Sequence, residues 1–150
     1  MKFTVHTMEY AGGRAEASLD LRNYQDSDYE EYRIMYNGCF LAMRTALELQ
    51  PAECCAGREE LARRRSETEL RDMGDRVLKI IDESIDYFLH RHPDKELSGA
   101  ILAQEEEIDD LVVKGEFQGQ GLGRALLQWA LVLLEKEGRG PAVLHVADWN

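Results

Sequence analysis

The stretch Leu111-Val112-Val113-Lys114-Gly115-Glu116-Phe117-Gln118-Gly119-Gln120-Gly121-Leu122-Gly123-Arg124 decides how this sequence folds. A short apolar run, read as a strand, enters a glycine-rich turn, and the turn opens a helix. Gly119, Gly121 and Gly123 leave the backbone bare, so an anion can approach several N–H groups at once. The first helical turn adds unpaired donors and the positive end of the peptide dipole, and Arg124 adds a full charge at the same spot. The segment therefore reads as a cradle for phosphate or pyrophosphate. It is not a Walker loop, because Gly123-Arg124-Ala125 lacks the Gly-Lys-Ser/Thr ending. Nor is it a dinucleotide fingerprint. Counted from Gly119 that pattern needs glycine where Arg124 stands, and counted from Gly121 it needs glycine where Leu126 stands.

Working outward, residues Gly121 to Lys136 form a strongly apolar helix closed by Gly138, with Pro141 beyond it. Leu122, Leu126, Trp129 and Leu133 share one face, but Leu127, Ala130, Leu131 and Leu134 make the other side apolar too, so cover is expected on several sides. A final strand follows over Ala142 to Val146. Upstream, Leu97 to Ala103 and Glu107 to Val113 read as two strands of a meander, after a turn at His92-Pro93-Asp94-Lys95. The helix after Val113 returns the chain parallel to its predecessor, so the sheet is mixed and the class is α+β.

The N-terminal half carries further signals. Lys2 to Glu9 and Ala15 to Arg22 alternate polar and apolar residues around Gly12-Gly13, which predicts a hairpin. Ser27 and Glu30 have capping-box spacing. Tyr29, Tyr32, Tyr36, Phe40, Met43 and Leu47 then follow at helical steps to Gln50-Pro51, a stripe that packs a core or lines a ligand cleft. Gly57 to Met73 reads as a charged, solvated helix, and Arg76 to Ser84 as helix before a strand at Ile85 to Leu89.

One hundred and fifty residues make one domain, with no repeat, linker or bilayer-spanning run. The net charge of −11 argues against binding nucleic acid and favours neutral or cationic ligands outside any local anion pocket. Three cysteines with one adjacent pair, Cys54-Cys55, form no disulfide framework and point to a reducing cytoplasm. His90 and His92 are two ligands at most, so no metal is expected.

The run Gln118-x-x-Gly121-x-Gly123, five residues after Val113 on a strand and opening a helix, resembles motif A of the GNAT superfamily of acyl-CoA-dependent N-acetyltransferases. The order of elements from Ala15 to Asn150 follows the family, with Gly115 standing where many members have proline. The resemblance implies a mixed, mostly antiparallel sheet with helices on both faces. It implies acetyl-CoA as cosubstrate, with its pyrophosphate on the amides of Gly119, Gln120, Gly121, Leu122, Gly123 and Arg124 beside Gln118. The pantetheine arm would run along Leu111, Val112 and Val113, towards Asn150. The acceptor implied is a primary amine of a small molecule or peptide, attacking directly in a ternary complex. Its contacts would come from Tyr29, Tyr32 and Tyr36.

An amine is mostly protonated at neutral pH, so a base is needed. Strand parity sets Glu107, Asp109, Leu111 and Val113 on one face, making Glu107 and Asp109 the candidate bases, unranked by the sequence. The family's pattern is cut off after the last parallel strand, at Asn150, which predicts an exposed strand edge. A fragment, a covering second copy in a homodimer, and a dispensable ending are the open explanations. The alternative to an enzyme is a catalytically impaired CoA-binding module or regulator.

Overall fold

The strand entering the glycine turn, β5 (Glu107–Val113), sits inside a six-stranded sheet of order β1-β6-β5-β4-β3-β2. The computed structural model describes residues 4–19, 21–51, 53–65, 77–82 and 97–147, with residues 62–65 and 77–82 described in the backbone alone. The other strands are β1 (Val5–Glu9), β2 (Arg22–Asn23), β3 (Val77–Asp82), β4 (Leu97–Gln104) and β6 (Val143–Ala147). Among the described residues the α-helices are α1 (Tyr29–Ala46), α2 (Arg58–Arg65) and α3 (Leu122–Lys136). Among the described residues only β5 and β6 pair in parallel; the other four pairings are antiparallel.

Two cores, one on each face, follow from alternation along β4 and β5. Ile101, Ala103, Ile108 and Val113 pack against Leu122, Ala125, Leu126, Ala130 and Leu134 of α3. Ala100, Leu102 and Val112 pack on the other face against Tyr32 and Met35 of α1 and Leu61 of α2. The mixed, mostly antiparallel sheet with helices on both faces is thus as the sequence predicts.

The N-terminal hairpin is a correction. Residues 10–19 form no strand, and β1 instead crosses to the far edge of β6, pairing from Val5↔Ala147 to Glu9↔Val143. Alternation identified β1 but not its partner, and the alternating run from Ala15 is, among the described residues, strand only from Arg22, in β2, which pairs with β3. The edge of β6 expected to be bare is therefore covered, and the reason for seeking a second copy at that edge falls away. A second correction is β3, which is strand where the pattern of residues 76–84 suggested helix. Its run Val77-Leu78-Lys79-Ile80-Ile81 is short and rich in branched residues, and it pairs with β4 throughout.

The start of α1 is also held differently. Ser27 and Glu30 do not form the box. The Gln25 N–H donates to Asp28 Oδ2 at 2.7 Å, and Arg22 forks onto both Asp28 oxygens at 2.8 and 2.7 Å. Asp28 is 8% exposed, so this bidentate pair anchors the start of α1 to the short edge strand β2. The helix ends at Ala46, ahead of Gln50-Pro51. The remainder of the second charged helix, the strand at Ile85 to Leu89, the turn at His92, and Asn150 lie outside the described residues.

Two measurements check this architecture. Thr7→Cys with His145→Cys, in a background lacking the native cysteines, is expected to form a disulfide under mild oxidation, because these residues are direct cross-strand partners. Peptide mapping reads the bridge, and its absence would restore the hairpin reading. Leu126 is fully buried, so Leu126→Ala is expected to lower unfolding free energy by about 2–5 kcal/mol in a denaturant titration.

Candidate active site

β5 and β6 share only two rungs, Glu107↔Val143 and Ile108↔Leu144, and then part. The opening between them is a cavity of about 340 Å³ walled by Tyr36, Phe40, Leu111, Leu127, His145 and Val146, among others. The phase of the β4–β5 ladder fixes what β5 offers to it. Lys114 N–H donates to Ser98 O at 2.9 Å, so by antiparallel alternation the main-chain groups of Val112 and Asp110 also face β4. Those of Leu111 and Val113 face the opening. Val112 contributes a wall, not hydrogen bonds.

At the end of β5 the chain makes a 3-10 turn, Gly115–Phe117, and enters α3. Gly119 and Gly121 have φ of +75° and +91°, the left-handed region where a side chain is strained, and Gly121 is the cap of α3. The first intrahelical bond runs from Ala125 N–H to Gly121 O at 3.0 Å. The amides of Leu122, Gly123 and Arg124 are therefore the donors that a helix start leaves over. A cavity of about 320 Å³ opens above them, lined by Gln118, Gly119, Gly121, Leu122, Gly123, Val113, Cys39 and Phe40. Arg124 and Gln120 are exposed. Gln118, also exposed, is tied back to the strand: its Nε2 donates to Val113 O at 2.9 Å, and Cys39 Sγ donates to the same oxygen at 3.2 Å. Burial pushes the Cys39 thiol above its ordinary value, keeping it protonated.

A third cavity, about 260 Å³, lies on the α1 face among Tyr32, Tyr36, Cys54, Ala56, Leu61, Asp109 and Asp110. Its wall after α1 is tied to that helix. Asn37 Oδ1 accepts from the amides of Cys54 and Cys55 at 2.9 Å each, and Arg44 donates to Pro51 O at 3.0 and 2.6 Å. The aromatic stripe thus both packs a core and lines a cleft. Tyr32 and Tyr36 line this cavity. Tyr29 does not, because its ring lies 4.6 Å beneath Arg58.

The shared face expected of Glu107, Asp109, Leu111 and Val113 is not formed. Ala103 pairs with Ile108 and Leu102 with Asp110, leaving Asp109 as the extra residue of a β-bulge. Parity reverses there. Ile108, Leu111 and Val113 face α3, whereas Asp110 faces α1 and accepts from Tyr36 Oη at 2.9 Å. Burial first, then the Asp110 charge, raises the Tyr36 pKa, so the phenol remains a donor. Exposed Asp109 lines both the β5–β6 opening and the α1-face cavity. Glu107 lies 3.3 Å from His145 Nε2, and His145 Nδ1 lies 3.0 Å from Thr7 Oγ1. Sequence reasoning missed Asp110 and His145. The bulge hid the first, and the second was one histidine among four. Among the described residues no cluster of His, Cys, Asp and Glu is arranged for a metal, and no helix is long and apolar enough to cross a membrane.

Comparison with known proteins accords with this arrangement. None of the curated protein sequences compared matches the chain. Among solved structures, a tetramutant of the BH1408 protein from Bacillus halodurans superposes with a TM-score of 0.62 at 12% identity, covering 88% of this chain and 85% of that one. The PaiA N-acetyltransferase of Thermoplasma acidophilum, in complex with coenzyme A, gives 0.60 at 16% identity, covering 80% and 74%. These likenesses establish the fold. The sequence model of the acetyltransferase (GNAT) domain matches residues 61–148, more than half of the chain and the whole of β4, β5, α3 and β6. With the parted strands and the glycine cap in those same residues, this chain belongs to the GNAT acetyltransferase family.

Proposed function

We propose that residues 1–150 act as one catalytic domain that transfers an acetyl group from acetyl-CoA to a primary amine, by direct attack with both substrates bound. The observation that carries this reading is the parting of β5 from β6 directly upstream of the glycine-capped start of α3. A linear amide-bearing arm laid in the opening would meet the outward main-chain groups of Leu111 and the Val113 N–H. The Val113 carbonyl is already engaged by Cys39 and Gln118, so these two side chains hold the strand end and leave the donors to the ligand. The amides from Gly119 to Arg124, with the Arg124 charge, are the phosphate site. A structure of a PaiA N-acetyltransferase with coenzyme A on the same fold supports this assignment.

The acceptor enters from the α1 face. Asp109 and Asp110 give that cavity a negative field that draws an ammonium group. The two carboxylates differ in use. Asp110 is bound by Tyr36, which fixes it as part of the wall. Asp109 borders both the amine cavity and the opening, so it is the residue placed to accept the amine proton. Glu107 reaches the opening through His145, and acts as a positioning residue for that ring. A covalent route through Cys39 is disfavoured by its protonated, hydrogen-bonded thiol. The three free cysteines suit a reducing, cytoplasmic setting.

Two experiments test this reading. At a hundredfold excess over Kd, acetyl-CoA is expected to add about 2.7 kcal/mol to stability, read as a rise in Tm. Gly121→Glu is expected to abolish the rise, because a side chain at positive φ is strained and the carboxylate repels the pyrophosphate; a rise that survives overturns the cradle. In a thiol-release assay with a panel of primary amines, Asp109→Asn is expected to lower kcat by roughly 10²–10⁴-fold at neutral pH. Glu107→Gln is expected to cost less. The opposite order, or unchanged rates in both, removes Asp109 as the base.

A further inference from the structure

The β5–β6 opening shares a wall with a second cavity. At its closed end stands the last shared rung, Ile108↔Leu144, and over that rung lies Leu127 of α3. These same three residues wall another cavity of about 170 Å³, which continues on the α3 face past Leu131, Ala142 and Val143 to Met8 of β1. The lining is apolar apart from the ends of Glu9 and Tyr10. From Leu127 to Leu131 it follows one turn of α3, a run of roughly 6 Å. It lies on the side of the sheet opposite the amine cavity, so an occupant would not compete with the acceptor. Part of its floor, Met8 and Glu9, comes from β1, the strand that crossed over to β6. Without that crossing Leu144 and Leu127 would border open solvent.

An apolar space that shares a wall with a thioester site fits an apolar extension of the thioester itself, reached by displacing the Leu127 side chain. We propose that this cavity receives the aliphatic chain of a longer acyl-CoA, so that the donors extend from acetyl to unbranched medium-chain acyl thioesters. This rests on the CoA reading given above. The chain would leave the thioester beside Ile108, pass beneath Leu127 and lie between Leu131 and Leu144. Each methylene buried there strengthens binding by about fourfold, so burying only half of the additional carbons of an octanoyl group exceeds tenfold.

The test is binding, which needs no acceptor. Dissociation constants for CoA, acetyl-CoA and octanoyl-CoA, the last below its micellar concentration, are measured by calorimetry on the full chain. Octanoyl-CoA is expected to bind at least about tenfold more tightly than acetyl-CoA. Leu131→Glu places a carboxylate in the cavity and is expected to erase that advantage while leaving acetyl-CoA affinity unchanged. Met8→Glu, on the exposed strand β1, tests the same space from its other wall with little risk to folding. Equal or weaker binding of octanoyl-CoA, or an advantage that survives both variants, overturns the proposal while leaving the acetyl-CoA site standing. Failure of all three ligands to bind overturns the CoA reading and this inference with it.

Discussion

The structure depends on where β6 finds its hydrogen bonds. A strand inside a sheet needs partners on both sides, yet β6 shares two rungs with β5 and five with β1. The antiparallel ladder to β1 satisfies one edge along its length, which lets β6 turn away from β5 after Ile108 without becoming an isolated strand. β5 is held just as firmly on its other side, by β4 and by the Lys114–Ser98 bond. The opening between them follows from each strand being committed elsewhere. The site is thus a gap in a ladder, floored by α3 and roofed by α1.

The electrostatics are arranged around that gap. In a chain of net charge −11, the main-chain donors left over at the start of α3 are a local positive feature beside the exposed Arg124. The carboxylates Asp109 and Asp110 sit in the middle of β5, beside the aromatic helix. Opposite fields therefore stand at the middle of one strand and beyond its C-terminal end. The Arg22–Asp28 fork and the Asn37 contacts to Cys54 and Cys55 fix α1 and its following segment, and so fix the roof.

Much of this was legible because it is local. The strand Glu107–Val113, the helix to Lys136 and the glycine turn are set by periodicity and by backbone angles that glycine alone adopts easily, and all three stand as read. The side-chain facing of the acidic strand was not legible. One bulge residue, Asp109, shifts every later side chain by one position, and nothing in the string Glu107-Ile108-Asp109-Asp110 announces it. The start of α1 misled for a related reason. Ser27 and Glu30 have the right spacing, but Asp28 has a guanidinium within reach, and a buried charged pair outweighs a neutral cap.

The sequence by itself determined the class of sheet, the position of the glycine turn that opens α3 and the family, because each rests on neighbouring residues and short-range geometry. Tertiary structure alone decided the partner of β1, the face taken by each carboxylate and the rung at which β5 and β6 separate. Those depend on pairings between residues far apart in the chain, where many alternatives have similar local patterns. Packing against two helices selects among them.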